Sequence, residues 1–165
     1  MAFEETYLAR THSSDETKAA ARLLAPLLRA GDVVVLEGDL GAGKTQFTQG
    51  LAAGLGIDDD VASPTFNILL EYRDGVLPLY HFDLYRLDSA DDLEDIGFFE
   101  TVEGDGASVI EWGDAYTDLL PDGFMEVYLR KGAGDERTLA ACAVGARAEE
   151  LVRAWSAALA EAGEE

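Results

Sequence analysis

Residues 32–45 have the sequence DVVVLEGDLGAGKT, and this stretch decides the fold. The β-branched run at its start is typical of a strand buried on both faces of a sheet. The second half fits the pattern G-x-x-x-x-G-K-[ST], a phosphate-binding loop that leads from such a strand into a helix. The positions of this P-loop are Gly38, Asp39, Leu40, Gly41, Ala42, Gly43, Lys44 and Thr45.

Each residue type in the P-loop has a chemical role toward a nucleotide. Glycines let the backbone turn sharply and approach phosphate oxygens, with no Cβ in the way. The helix that follows directs backbone N–H groups and the positive end of its dipole at the anion. Lys44 supplies a cation for the β- and γ-phosphates, and the Thr45 hydroxyl is a ligand for Mg²⁺. The stretch therefore predicts a site for nucleotide phosphates and magnesium.

A P-loop also needs an acidic side chain at the end of a neighbouring strand, which holds Mg²⁺ directly or through water. Glu111 and Asp83 each end a short apolar run, and the pattern alone leaves both open. Thr65, in the string SPTF about 20 residues after the P-loop lysine, is placed to approach the γ-phosphate as a switch threonine does. The same string also fits an ordinary serine–proline turn, which the pattern alone favours. His81 alternates with apolar residues, which favours a structural role.

The remaining pattern predicts strands and helices that alternate in the first half of the chain, followed by hairpins. A capping box at Ser13 and Glu16 starts the first helix, and Pro26 should kink or interrupt it. Such an order indicates a three-layer α/β domain with a mixed, partly antiparallel sheet. The predicted strands are 6–11, 32–37, 68–72, 76–83, 107–112, 124–131 and 138–144, and the helices run from 13 to about 30, from 43 to about 56, over 90–96 and over 148–162.

The composition excludes several classes of partner. The chain has 165 residues with 33 acidic and 12 basic side chains, a formal net charge of −21. Such a surface repels phosphate backbones and anionic membranes, so a broad interface with either is not expected. The length predicts one P-loop ATPase domain over residues 1–165, with a solvated acidic tail from about residue 161.

The cysteine count and the hydropathy pattern point to one compartment. The single cysteine, Cys142, excludes an intrachain disulfide and a cysteine-based zinc site. The sequence has no secretory signal pattern and no run of 18 apolar residues. A cytoplasmic protein is the expectation.

Three other kinds of nucleotide-binding protein can be weighed from the sequence. A GTPase is excluded because D-x-x-G does not occur and the single asparagine, Asn67, is not part of an N-K-x-D guanine-reading motif. A kinase for a small metabolite usually brings several arginines to the phosphates from a lid, and only Arg73 and Arg86 lie in the middle third of the chain. This kinase is disfavoured but stays as the alternative. A nucleotide-gated binding module with incidental hydrolysis is a third possibility.

Four strings of the chain resemble the TsaE family of bacterial ATPases, formerly called YjeE, in their order and spacing. The strings HFDLYR and SPTF are more specific to that family than the P-loop is. The resemblance runs from about residue 6 to about residue 144. The four strings are the P-loop, SPTF at residues 63–66, YHFDLYR at residues 80–86 and Glu111-Trp112.

The resemblance implies a mixed-sheet P-loop fold that binds ATP and Mg²⁺. It also implies a role in forming threonylcarbamoyladenosine beside the tRNA anticodon, in a complex with TsaD, which transfers the carbamoyl group, and TsaB. Because of the charge, we expect tRNA to be bound by these partners and to meet this chain only indirectly. By position, the resemblance implies a phosphate lysine (Lys44), magnesium ligands (Thr45, Glu111), an acid that orients the attacking water (Asp83), a switch-like threonine (Thr65) and a residue near the nucleotide base (Ser14).

Overall fold

The structure is a computed structural model that describes residues 5–38, 42–57, 69–84, 91–111, 120 and 123–163. Within these ranges the chain forms seven strands and five α-helices. None of these helices has the length and apolar character that a membrane-crossing helix requires. The elements are β1 (Thr6–Thr11), α1 (Ser14–Leu24), β2 (Val33–Glu37), α2 (Lys44–Gly54), β3 (Leu69–Tyr72), β4 (Leu79–Asp83), α3 (Asp91–Asp95), α4 (Phe98–Val102), β5 (Ala107–Glu111), β6 (Phe124–Lys131), β7 (Arg137–Val144) and α5 (Ala146–Gly163).

The strands form one mixed sheet in the order β1-β7-β6-β2-β5-β4-β3. The strands β6, β2, β5 and β4 are parallel to one another, whereas β1, β7 and β3 pair antiparallel with their neighbours. β7 joins the sheet through its hairpin with β6, β3 through its hairpin with β4, and β1 pairs with β7 from the other end of the chain. The chain therefore has an α/β fold of the P-loop NTPase-like kind, as predicted.

The central strand β2 is buried on both faces, which the β-branched run predicted. Val34 and Leu36 pack into the larger core, which contains side chains of α1, α2 and α5. Val33 and Val35 pack into a second core with side chains of α3 and α4, such as Phe98. Since side chains alternate along a strand, one valine-rich strand serves both layers. Helices cover both faces of the sheet, and the predicted three-layer arrangement is confirmed.

Two glycines of α2 set the position of the helix that follows the P-loop. A Cβ on Gly50 would lie 2.2 Å from the carbonyl oxygen of Lys18, and one on Gly54 would lie 2.5 Å from the Cβ of Ala25. No residue type other than glycine at these two positions allows α1 and α2 to approach so closely. α5 closes the same layer, because the Trp155 indole N–H donates to the Ala20 carbonyl at 2.9 Å.

The predicted capping box is present, but α1 is shorter than expected. Ser13 Oγ accepts the N–H of Glu16 at 3.1 Å. The Glu16 carboxylate accepts a backbone N–H in return, from His12 rather than from the cap residue. The helix ends at Leu24 instead of near residue 30, because Pro26 has no N–H and imposes a 3-10 turn.

Two other predictions differ from the structure. β4 begins at Leu79 rather than at residue 76, because Val76 is exposed and its N–H donates to the Leu55 carbonyl outside the sheet. The region predicted as one short helix at 90–96 continues into a second helix, α4, after a break at Gly97, whose φ is 73°. The closing helix agrees with the prediction to within two residues at each end, and Glu161 in the predicted solvated tail is exposed.

Candidate functional site

The carboxyl ends of three parallel strands meet beside the P-loop. In the pairing of β2 with β5, Leu36 lies opposite Glu111, and in the pairing of β4 with β5, Asp83 lies opposite the same Glu111. Paired side chains in neighbouring strands point to the same face, so both acids share the face of β2 that α2 covers. The two acids that the sequence left open therefore lie side by side, at the edge from which the P-loop leaves the sheet.

The P-loop glycines that the structure describes occupy positions that exclude a larger residue. A Cβ on Gly38 would lie 2.7 Å from the Leu129 carbonyl oxygen and 3.0 Å from the Ala42 Cβ. Gly43 is the N-cap of α2 with a φ of 104°, in the left-handed region that favours glycine. The loop thus presents bare backbone at the N-terminus of a helix, which is an arrangement that binds phosphate.

The two polar P-loop side chains begin α2. Lys44 is 7% exposed, and its Nζ donates to the Gly38 carbonyl at 2.9 Å, so the ammonium group reaches back across the loop. Thr45 follows in the same turn and is partly buried. The buried Thr48 hydroxyl donates to the Lys44 carbonyl at 3.0 Å and stays within the helix. The arrangement holds a cation inside the loop and places a hydroxyl next to it in the chain.

Glu111 is buried with one polar partner that the sequence analysis had classed as structural. Glu111 is 4% exposed and His81 is fully buried, and Oε2 of the glutamate lies 2.5 Å from Nε2 of the histidine. A buried carboxylate requires hydrogen bonds to offset its loss of hydration. The signal was present in the period-2 pattern of β4, which places His81 on the same face as Asp83.

The donors at this edge fit magnesium. Mg²⁺ prefers oxygen ligands, and at nucleotide sites it usually takes one or two protein oxygens together with phosphates and waters. Glu111 offers a carboxylate and Thr45 a hydroxyl, and their role as magnesium ligands stays a prediction. Within the part of the chain that the structure describes, no three His, Cys, Asp or Glu side chains form a metal cluster.

A cleft of about 70 Å³ opens beside the start of α2, and Ser14 lies on its wall together with Thr17, Gln46 and Arg137. Arg137 was missed by the sequence analysis. Its Nε donates to the Ala42 carbonyl of the P-loop at 2.9 Å, and its Nη1 donates to the Glu136 carbonyl at 2.7 Å. The hairpin between β6 and β7 is thereby connected to the loop. Only the fold brings these residues together, because 95 residues separate the two partners.

One tyrosine near the P-loop has a shifted titration. Tyr128 lies opposite Glu37, the last residue of β2, and its hydroxyl donates to the Glu126 carboxylate at 2.6 Å. Burial, the hydrogen bond to Glu126 and the negative charges nearby raise the pKa of Tyr128 above its usual range. The phenol therefore stays protonated at physiological pH and remains a donor.

Most of the predicted site residues converge, and the others cannot be placed. The described P-loop residues, Asp83 and Glu111 meet at one edge, with Ser14 across the neighbouring cleft. Thr65 and the loop residues Asp39, Leu40 and Gly41, which were also predicted to belong to the site, lie outside the described residues.

Comparison with known proteins identifies the family. Residues 11–139 match the family model described as "Threonylcarbamoyl adenosine biosynthesis protein TsaE". The chain belongs to the TsaE family. Among TsaE proteins it is similar to that of Bacillus subtilis, with 49% identity over 142 residues, covering 86% of this chain and 89% of the relative. It is 45% identical to TsaE of Treponema pallidum over 129 residues, covering 78% of this chain and 95% of that one.

A solved structure agrees with the TsaE assignment. The crystal structure of Bacillus subtilis YdiB superimposes with a TM-score of 0.80 at 41% identity, covering 94% of this chain and 97% of that one. The relatives carry the printed name "tRNA threonylcarbamoyladenosine biosynthesis protein TsaE". The family that the sequence strings resembled is confirmed.

Proposed function

We propose that this TsaE-family protein is a Mg²⁺-dependent ATPase that acts in the biosynthesis of threonylcarbamoyladenosine beside the tRNA anticodon. The proposal rests mainly on the pairing of β2 with β5, which places buried Glu111 beside the start of the P-loop. Lys44 donates a hydrogen bond to the Gly38 carbonyl at that same point. A strand, a P-loop and an acid at the end of the adjacent parallel strand form the core of an NTP-hydrolysing site.

Each residue of the site has its own role in the proposed reaction. The backbone at Gly38 and Gly43 approaches the phosphates closely, and Lys44 neutralises their charge. Thr45 and Glu111 would hold magnesium, which when bound would neutralise the charge that develops on the phosphates. Asp83, directly beside Glu111 in the sheet, accepts a hydrogen bond from the attacking water and orients it. The cleft beside Ser14 extends the site from the loop toward the rest of the nucleotide.

The proposed partners are TsaD and TsaB, and the charge of the chain supports this division of labour. With a net charge of −21, the surface of this chain repels a tRNA, so the basic surface that holds the RNA belongs to the partners. ATP binding and hydrolysis here then reset the assembly. The isolated chain is expected to hydrolyse ATP slowly and to be stimulated by TsaB and TsaD.

The test compares Lys44→Ala with a matched lysine variant. Lys131 lies exposed at the end of β6 and does not line the cleft beside Ser14, so Lys131→Ala changes the charge equally. ATP turnover and tRNA modification are measured with TsaB, TsaD and the remaining components. We expect Lys44→Ala to abolish both and Lys131→Ala to leave both intact.

Two results would contradict the proposal. One is tRNA modification that proceeds unchanged with Lys44→Ala. The other is a phosphorylated metabolite formed by the purified chain without partners, which would favour the kinase.

A further inference from the structure

His81 and Glu111 form a buried hydrogen bond, and the chemistry of the two groups assigns which of them is the donor. An ionised carboxylate only accepts hydrogen bonds, so at 2.5 Å the histidine Nε2 must be the donor. His81 Nδ1 is buried and has no hydrogen-bond partner among the described residues. The ring therefore carries an N–H on Nε2, aimed at Glu111.

This hydrogen bond divides the two carboxylate oxygens of Glu111. Oε2 is occupied by the histidine, which leaves Oε1 as the oxygen available for another ligand. The pairing of β4 with β5 keeps His81 and Glu111 in place. His81 lies opposite Val109 of β5, and Glu111 follows Val109 by two residues on that strand. A fully buried ring with packed neighbours cannot rotate freely, so the donor is fixed.

We propose that His81 is a positioning residue that orients Glu111 for magnesium. The inference rests on the proposed function, in which Glu111 holds the metal. Side chains that hydrogen-bond a metal ligand set its orientation and basicity, and their loss typically lowers metal affinity about 10–100-fold. If His81 had only a structural role, replacing it with an apolar residue would lower the stability of the protein and leave its magnesium affinity unchanged.

The first experiment separates metal binding from nucleotide binding. ATP affinity is measured by calorimetry with Mg²⁺ and again with excess EDTA, and the ratio of the two is the gain due to metal. We expect His81→Leu to lower this ratio about tenfold or more. Affinity in EDTA should change by less than about threefold, because the P-loop contacts remain. His81→Gln, whose amide N–H can reach the same carboxylate, should recover most of the ratio.

Leu79→Ala is the matched control. Leu79 is fully buried on β4 and lies two residues before His81, on the same face. This variant loses packing without losing the donor, so its ratio should equal that of the wild type. A ratio unchanged in His81→Leu, an equal fall in Leu79→Ala, or a glutamine variant no better than leucine would each overturn the proposal.

The second experiment needs neither metal nor nucleotide. In protein labelled with ¹⁵N-histidine, the two ring nitrogens of His81 should show the Nε2–H tautomer. Comparison with His12→Gln assigns the signals, since the chain has two histidines. An Nδ1–H tautomer would overturn the inference even if both His81 variants failed to fold. A wild type that shows the Nε2–H tautomer but gains no ATP affinity from Mg²⁺ would instead refute the proposed function, and the metal role of His81 with it.

Discussion

Gly38 is the position where the structure predicts the clearest effect of a single methyl group. Alanine at this site would place its Cβ 2.7 Å from the Leu129 carbonyl oxygen of β6 and 3.0 Å from the Ala42 Cβ. Ordinary van der Waals contact begins at 3.4 Å, so the backbone must shift by about 0.7 Å at the root of the P-loop. β6 cannot yield, because it is paired on both sides, with β2 and β7. The loop must therefore move.

The displaced loop should bind ATP poorly. Lys44 Nζ donates to the carbonyl of Gly38, so the same shift moves the cation as well as the backbone cradle. A displacement approaching 1 Å at a reacting site can lower a rate about 100-fold. We expect Gly38→Ala to weaken MgATP binding at least about tenfold. Overpacking should also lower the free energy of unfolding by roughly 1–3 kcal/mol.

The assay is a titration of each variant with MgATP, followed by chemical denaturation of the same sample. Gly123→Ala is the control, because its Cβ would lie 3.4 Å from the Val144 carbonyl, in ordinary contact, near the start of β6 and away from the P-loop. Binding and stability of the control should match the wild type. The reasoning is refuted if Gly38→Ala binds MgATP within about twofold of the wild type and is equally stable.

The remaining predictions concern packing and charge elsewhere in the fold. Gly50→Ala should lower the thermal midpoint, because its Cβ would overlap the α1 backbone at 2.2 Å; an unchanged midpoint would show that the two helices can separate freely. Arg147→Met should lower the free energy of unfolding by about 2 kcal/mol in chemical denaturation, because buried Asp32 loses its bidentate partner. The Arg147 side chain is 31% exposed, so this value is smaller than for a fully buried pair. The double variant with Asp32→Asn should regain part of that loss, and no recovery would argue against the pair. The hydrogen bond from Tyr80 lowers the pKa of the Asp105 carboxyl below its usual 3.8. The hydrogen bond therefore stabilises the folded protein above pH 3.8, and this stabilisation is lost as the pH falls through the lowered pKa of folded Asp105. Tyr80→Phe should raise this pKa in a ¹³C NMR titration, and an unmoved titration curve would contradict the assignment.

The parts of the fold that follow from local pattern could be predicted from the sequence. The β-branched run before the P-loop specified a buried strand, and the parallel neighbours of that strand brought both candidate acids to the loop. The hairpin of β3 and β4 and that of β6 and β7 followed from turn residues between apolar runs. For the buried strand and for the two hairpins, the determining residues are adjacent in the chain.

The parts that depend on contacts between distant segments could not be predicted. The small side chain at Gly50 has no visible role until α1 lies against it. Arg137 gives no sign in the sequence of reaching the P-loop 95 residues earlier. His81 was read as a structural residue from its apolar neighbours, because its glutamate partner lies on another strand, 30 residues away.

Glu111→Gln offers the most direct test of the proposed function, because it keeps the size of the side chain and the hydrogen-bond acceptor while it removes the charge that would hold magnesium. The measurement is ATP turnover over many cycles by the complete tRNA-modifying assembly, with ATP binding by the isolated chain measured in parallel. If the proposed function is correct, the variant binds ATP but neither hydrolyses it nor supports repeated modification. Wild-type turnover and modification with Glu111→Gln would contradict it.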